Sequence, residues 1–396
     1  MEPLLPESSR YALAELTCQI LLKSGQLCGQ VPSHANRKRI AALVREMNSY
    51  YSNLIEGHKT LPRDIERALR ADYSQNPTNR ANQHLARAHI EVEKLMINRL
   101  NHEPELSIHS PDFLCWLHRE FYNRLPDELH LSKTREGKPY RIEPGKIRNF
   151  EIDVGKHQPP SHESLPNFLE RFCSFYSSPQ ILPTNQLIAM AAAHHRLAWI
   201  HPFGDGNGRV IRLYSHAWLM RRNADGLGLW TLSRGLARTR DDYYTFLSGA
   251  DAPRQSDLDG RGNLSNKGLV NFCEYFLRVI LDQIVFMTDR LQLHNLSARI
   301  DYYLQFGLIH LESTQRERLA RLLKAALYEG EIERGKAAEI LCLGSTAARE
   351  VIRLALKENL LESATEKGPL SLRFSSTTVD YYFPELFQNM QVAEEK

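Results

Sequence analysis

The segment Leu187–Ile200 is almost wholly apolar and halts at His201-Pro202, where the proline forces its predecessor out of the helical region. Three glycines, at 204, 206 and 208, then alternate with polar residues before helical periodicity resumes at Val210, Leu213, Ala217 and Leu219. A chain carrying this stretch folds there as buried helix, tight glycine turn and second helix. The turn lays bare backbone N–H groups at a helix N-terminus.

The same 3.6-residue period recurs elsewhere. Leu85, Ala88, Val92, Leu95 and Met96 share one helical face over about 82–100, and Phe113, Leu114, Leu117 and Phe121 share another after the cap-like Ser110-Pro111-Asp112. A long helix is predicted over about 268–291, after a polar loop at Asp251–Lys267. Arg148–Val154 differs: Phe150, Ile152 and Val154 alternate with polar residues between Gly145 and Gly155, which predicts a strand or hairpin. From about Arg334 a helix, a Gly344 break, a second helix at Ala347–Lys357 and two short apolar stretches around Gly368-Pro369 read as a winged-helix-like module.

With 396 residues the chain has room for two or three structural units. A net charge of +3, 42% hydrophobic and 24% charged residues exclude disorder, collagen and coiled-coil rods, and give no broad attraction to nucleic acid or anionic membrane. Six scattered cysteines (Cys18, Cys28, Cys115, Cys173, Cys273, Cys342) form no metal or disulfide pattern and read as reduced core thiols. No apolar run reaches membrane-spanning length and Met1–Arg10 lacks a signal-peptide layout, so a cytoplasmic protein with no membrane partner is expected.

Chemistry concentrates in His201-Pro202-Phe203-Gly204-Asp205-Gly206-Asn207-Gly208-Arg209 and Arg212. Bare N–H groups and a helix dipole suit phosphate. Asp205 offers a hard carboxylate for Mg²⁺, and Arg209 and Arg212, three apart on the new helix, can clamp one phosphate chain. A neutral His201 can take a proton from a hydroxyl nucleophile. The competing reading is a helix-capping turn with incidental glycines, which the co-occurrence of His, Asp, Asn, three Gly and two Arg disfavours.

HPFGDGNGR with Arg212 resembles the Fic family motif HPFx(D/E)GN(G/K)RxxR at every fixed position, and Ala192, His195 and Ile200 precede it in the family's manner. Arg148–Gly155 followed by Pro159-Pro160 is similar to the family's flap, so the resemblance covers roughly residues 40 to 290. It implies a mainly α fold, a Fic-type helical bundle with a short β-hairpin flap, here followed by a small C-terminal winged-helix (helix-turn-helix) domain. The implied division is an N-terminal helical region at 1–105 with an inhibitory helix at about 40–57, a catalytic domain at 106–292, and a linker helix with the winged-helix-like domain at 293–396. The implied activity is transfer of AMP from Mg-ATP to Ser, Thr or Tyr hydroxyls of target proteins or of the chain itself.

By position the resemblance makes His201 the base, Asp205 the Mg²⁺ ligand, and Gly204, Gly206, Asn207 and Gly208 the phosphate loop. Arg209 and Arg212 would hold the outer phosphates and Phe203 would anchor the loop in the core. Gly208, where the kinase branch of the family has Lys, favours AMP transfer. Ile152 would meet adenine and target, and Tyr244, beside Tyr243, would stack on the base. Asp251 falls where a family Asn reads the adenine edge, and lacks the amide donor for that role. An exposed flap could also capture an extended target segment by strand addition.

Ser52-Asn53-Leu54-Ile55-Glu56-Gly57 resembles the family's inhibitory motif (S/T)xxxE(G/N). Ser52 and Glu56 lie one turn apart, and Gly57 can end the helix in a left-handed conformation. The resemblance implies that Glu56 competes with the γ-phosphate for the arginine matching Arg212, an intramolecular brake. In some relatives the same glutamate positions a water to remove AMP, so a de-AMPylating enzyme is an alternative.

Other signals carry less. Gly330–Ala337 misses the P-loop hydroxyl. His194-His195 read as core histidines, and His34–Arg39 as a solvated helix start. Residues 331–396 hold 8 Lys plus Arg against 11 Asp plus Glu, which favours a partner-binding or dimerising module over DNA. A homodimer is expected on this layout. A winged-helix regulator using the Fic core as a nucleotide sensor is the competing function, disfavoured by the intact His201.

Overall fold

The computed structural model describes residues 1–134, 136–155 and 157–387. They form two compact units, each assembled from separate chain segments. The first comprises Met1–Lys23, Asn48–Asp225 and Thr231–Gln283, and the second Ser24–Met47, Gly226–Trp230 and the chain from Ile284 onward. Helices α1 (Arg10–Gln30) and α2 (His34–Ile55) each contribute residues to both.

In the first unit α3 (Pro62–Leu69) leads to α4 (Pro77–His102) and α5 (Pro111–Tyr122). Ser110 caps α5 by accepting from the Phe113 N–H at 3.2 Å. After a strand pair come α6 (Leu165–Tyr176), α7 (Gln186–Ile200), α8 (Asn207–Arg221), α9 (Leu232–Arg238) and α10 (Arg240–Asp251). Helix α11 (Asn266–Arg290) supplies this unit as far as Gln283. Helix α7 is buried from Gln186 to Leu197 on every face, as an apolar run without a polar stripe requires. It packs on α6 and α8, and α8 in turn on α4 and α5. Trp218 of α8 is fully buried, with its indole N–H donating to Gln186 Oε1 at 3.2 Å.

The strands lie earlier than the alternation at 148–154 predicts. β1 (Leu131–Lys133) and β2 (Pro139–Arg141) form an antiparallel pair in which Ser132 faces Tyr140. Arg148–Gly155 alternates in exposure, with Phe150 and Ile152 half-buried and Asn149, Glu151 and Asp153 exposed, but joins no ladder. Its one bridge is a mutual pair of backbone hydrogen bonds between Val154 and His157. The period-two pattern therefore reports an extended backbone with two faces, and the partner strand that would make it a hairpin is absent among the described residues.

In the second unit α12 (Leu293–Phe306) packs on α13 (Ser313–Glu329), which meets α14 (Ala337–Leu341) and α15 (Ser345–Lys357). β3 (Leu361–Glu362) pairs antiparallel with β4 (Ser371–Leu372), Ile332 bridges Leu370, and α16 (Val379–Tyr382) packs on α12. All six cysteines are unpaired, but only Cys273 is buried and Cys18 and Cys342 are exposed, so the core-thiol reading is corrected for those two. Polar neighbours in sequence gave no sign of which helix face they shared. Among the described residues no helix is long and apolar enough to cross a membrane.

Replacing Trp218 by Ala is expected to destabilise the protein by about 3–5 kcal/mol in urea unfolding. Tyr11→Ala, at a side chain 89% exposed, is expected to change it by no more than about 0.5 kcal/mol.

Candidate active site

The glycine turn is held from several directions. His201 closes α7 with φ 49° and ψ 63°, a left-handed conformation that costs a histidine energy and needs support. Arg148 gives that support: its Nε donates to the His201 carbonyl at 3.0 Å, and its backbone N–H to the Pro202 carbonyl at 2.9 Å. The same buried guanidinium donates to the carbonyls of Phe150 and Pro160, which ties the extended segment to the turn. Phe203 is 1% exposed and stacks on His118 at 4.1 Å. Asn207 Oδ1 accepts from the Phe203 N–H and its amide donates back to the Phe203 carbonyl, at 3.0 and 2.7 Å.

Gly206 sits at φ 78°, where a Cβ would stand 2.9 Å from the Tyr122 ring, so both conformation and space demand glycine. The N–H groups of Asn207, Gly208 and Arg209 open α8 and have no intrahelical acceptor. Asp205 is exposed; its carboxylate accepts from the Gly206 N–H at 2.6 Å and from the Tyr122 hydroxyl.

Both loop arginines are buried, and the last turns of α2 hold them. Arg212 donates to Ser52 Oγ and the Ser52 carbonyl, each at 2.9 Å, and to Glu56 Oε1 at 2.7 Å. Arg209 donates to Asn53 Oδ1 at 3.1 Å and lies over the Phe121 ring. Gly57 ends α2 with φ 86°. Partial burial works against ionisation of Glu56, but Arg212 and then Arg209 outweigh it and hold the carboxyl below its usual value. A Cβ on Gly208 would collide with Glu56 Oε1, so this carboxylate occupies the space above the glycine turn.

These groups open on a cavity of about 720 Å³ lined by Glu56, His201, Gly208 and Arg212 on one set of walls, and by Tyr244 and Asp251 among others. Tyr244 is half-exposed there, with its hydroxyl 3.4 Å from the Ile55 carbonyl. Val154, Gly155 and His157 line the cavity from the extended segment, whereas Ile152 does not. Asp251 accepts from His195 Nε2 at 2.8 Å and faces His157 Nδ1 at 3.6 Å, so its carboxylate is already engaged. His194 and His195 are both fully buried and hydrogen-bonded within the core.

His201 Nδ1 lies 3.3 Å from the Ala198 carbonyl, so it carries the proton and Nε2 keeps the lone pair. Burial, aided by His157 and Arg148, pulls its pKa down to about 4, and the imidazole is neutral at pH 7. Sequence reasoning missed Arg148, Asn53, His118, Tyr122 and His157 as parts of this site. Only Asn53 had a local signal, as the residue after Ser52 in the α2 motif.

A family model described as the Fic/DOC family matches residues 105–219. Residues 105–219 are a Fic/DOC family domain. The chain is 31% identical over 129 residues to a protein adenylyltransferase Fic of Nematostella vectensis, covering 32% of this chain and 28% of that protein. It is 37% identical over 133 residues to one of Drosophila mojavensis, covering 34% and 25%. The match thus spans about a quarter of the length of these relatives. The fold resembles a Fic family protein from Desulfovibrio desulfuricans G20, with TM-score 0.53 and 17% identity over 93% of this chain and 98% of that one. A Fic domain signalling protein from Bacteroides thetaiotaomicron gives TM-score 0.51 and 18% identity over 70% and 98%.

The buried histidines of the first unit set an acid limit on stability. Burial lowers His118, His195 and His201 to about 4 and His89 and His109 to about 3. Unfolded, each would protonate near 6.5. The unfolded chain therefore binds more protons between about 4 and 6.5, and stability falls with pH through that window by about 1.4 kcal/mol per unit for each such group. Glu56, depressed below its ordinary 4.5, adds to the loss only below that value. Calorimetry from pH 7.5 to about 5 is expected to show a falling Tm, with single His118→Gln or His109→Gln variants shallower in slope than the parent.

Proposed function

We propose that this chain is a protein adenylyltransferase that moves AMP from ATP to a Ser, Thr or Tyr hydroxyl of a protein and is held in check by its own Glu56. The observation that carries the reading is the shared position of a neutral His201, the open N-terminus of α8 and the buried Arg209 and Arg212 around one cavity. The relatives named above are protein adenylyltransferases, which agrees with it.

In this reading His201 Nε2 takes the proton of the acceptor hydroxyl as its oxygen attacks the α-phosphorus. The bond to the β-phosphate breaks and pyrophosphate leaves. Phosphate charge beside the imidazole raises its pKa from about 4 toward neutrality, which strengthens it as a base when nucleotide is bound. The N–H groups of Asn207, Gly208 and Arg209 donate to the phosphate oxygens, and Arg212, once released from Glu56, neutralises the outer phosphates.

Among the described residues no cluster of three His, Cys, Asp or Glu side chains could hold a metal by protein ligands alone. A Mg²⁺ ion that keeps waters and takes phosphate oxygens needs one carboxylate, and exposed Asp205 fits that donor set. Such an ion would offset charge on the triphosphate. Tyr244 supplies an aromatic face to the base. The extended Arg148–Gly155 segment, with no backbone ladder of its own at residues 149–152, offers an edge for the target chain. Either a separate protein or a second copy of this chain could present the hydroxyl.

The test is labelling with α-³²P ATP and Mg²⁺. Glu56→Gly is expected to raise incorporation roughly ten- to a hundredfold, the value of a charge-assisted contact on Arg212. His201→Ala in the Glu56→Gly background is expected to lower it by about 10²–10⁴. Label that survives loss of His201 overturns the mechanism, and equal labelling of parent and Glu56→Gly overturns the brake.

A further inference from the structure

The second unit carries a surface that the proposed chemistry does not use. Helices α14 and α15 are joined through Cys342–Gly344, with Cys342 turned at φ 54°, and the β3–β4 pair follows α15. A groove of about 480 Å³ runs between these helices, lined by Arg334, Ala338, Ser345, Arg349, Ile352 and Arg353 among others. Among the described residues no carboxylate lines it. Arg349 and Arg353 stand exposed one turn apart on α15, and among the described residues no hydrogen bond or ion pair engages either guanidinium. Arg334 is fixed by donating from Nε to the Gly368 carbonyl at 3.0 Å, which links the groove to the β3–β4 loop, where Glu366 and Lys367 are both exposed.

Three carboxylates of this stretch are engaged away from the groove. Glu331 and Glu362 both pair with Arg39 of α2, at 3.6 and 3.1 Å, and Glu358 faces His310 at 3.4 Å. Arg39 belongs to the same unit yet lies far outside residues 331–396, so a count over those residues alone records the carboxylates without their counter-charge. Of the acidic residues of α15 only Glu350 is present, and it does not line the groove.

We propose that this face binds double-stranded DNA, with α15 in the major groove, Arg349 and Arg353 on phosphates, and the β3–β4 loop against the adjacent backbone. The major groove admits one α-helix. A second helix after a tight turn is the element that enters it. Two unpaired guanidiniums on that helix supply planar forks that match phosphate oxygens.

The experiment uses the full chain and a fluorescein-labelled mixed-sequence duplex of about 25 bp, followed by anisotropy between about 50 and 200 mM NaCl. Parent protein is expected to bind, with log K falling linearly in log salt. Arg349→Ala/Arg353→Ala is expected to weaken binding at least about tenfold at the lowest salt and to reduce the slope by about two, one per lost phosphate contact, with Tm and ATP labelling unchanged. No binding by the parent at 50 mM salt, an unaltered isotherm and slope in the double variant, or tighter binding of a labelled poly-glutamate peptide than of the duplex would each overturn the proposal.

Discussion

The site depends on one electrostatic constraint: two guanidiniums at the start of α8 are buried and must be satisfied. Arg212, with only 3% of its side chain exposed, takes all its acceptors from Ser52 and Glu56, and Arg209 takes Asn53 and the face of Phe121. A buried cation without partners is far costlier than any single surface contact. The end of α2 is therefore part of the glycine turn's own stability. Under the proposed function an anionic ligand would have to replace Glu56 at an arginine that is already neutralised.

The turn itself is built so that little has to move when a substrate binds. His201 is held in a strained left-handed conformation by Arg148, Phe203 is locked by the reciprocal Asn207 bonds and the His118 ring, and Asp205 is oriented by Gly206 and Tyr122. Preorganisation of this kind places donors before charge develops rather than after. Arg148 also binds the extended segment to the turn, so the wall that would meet a target and the residue that would activate it share one support.

Helices such as α4, α5, α7, α8 and α11 were legible because burial of one face, or of all faces in α7, leaves a periodic trace in the residues themselves. The strands were not. Leu131–Lys133 and Pro139–Arg141 are short and largely exposed, so pairing rather than burial defines them and leaves no apolar pattern. Arg148–Gly155 shows the converse: its alternation is real, but alternation records the two faces of an extended chain and says nothing of a neighbour. Within the site the contiguous loop was legible, whereas Arg148, His118, Tyr122 and His157 enter from distant positions that no local spacing announces. A charge count over residues 331–396 is incomplete for the same reason, since Arg39 pairs with Glu331 and Glu362 from about three hundred positions away.

The sequence by itself determined that a buried helix must break at His201-Pro202, that three glycines must expose backbone at the next helix start, and that a histidine, a carboxylate and two arginines would share this turn. These follow from local sterics, hydrogen-bonding capacity and spacing, which travel with the residues. Only the tertiary structure decided that Glu56 and Ser52 meet Arg212, that Asp251 is spent on His195, and that His201 is neutral with its lone pair on Nε2. Each of those depends on desolvation and on distances between residues remote in the chain, and neither quantity exists until the helices pack.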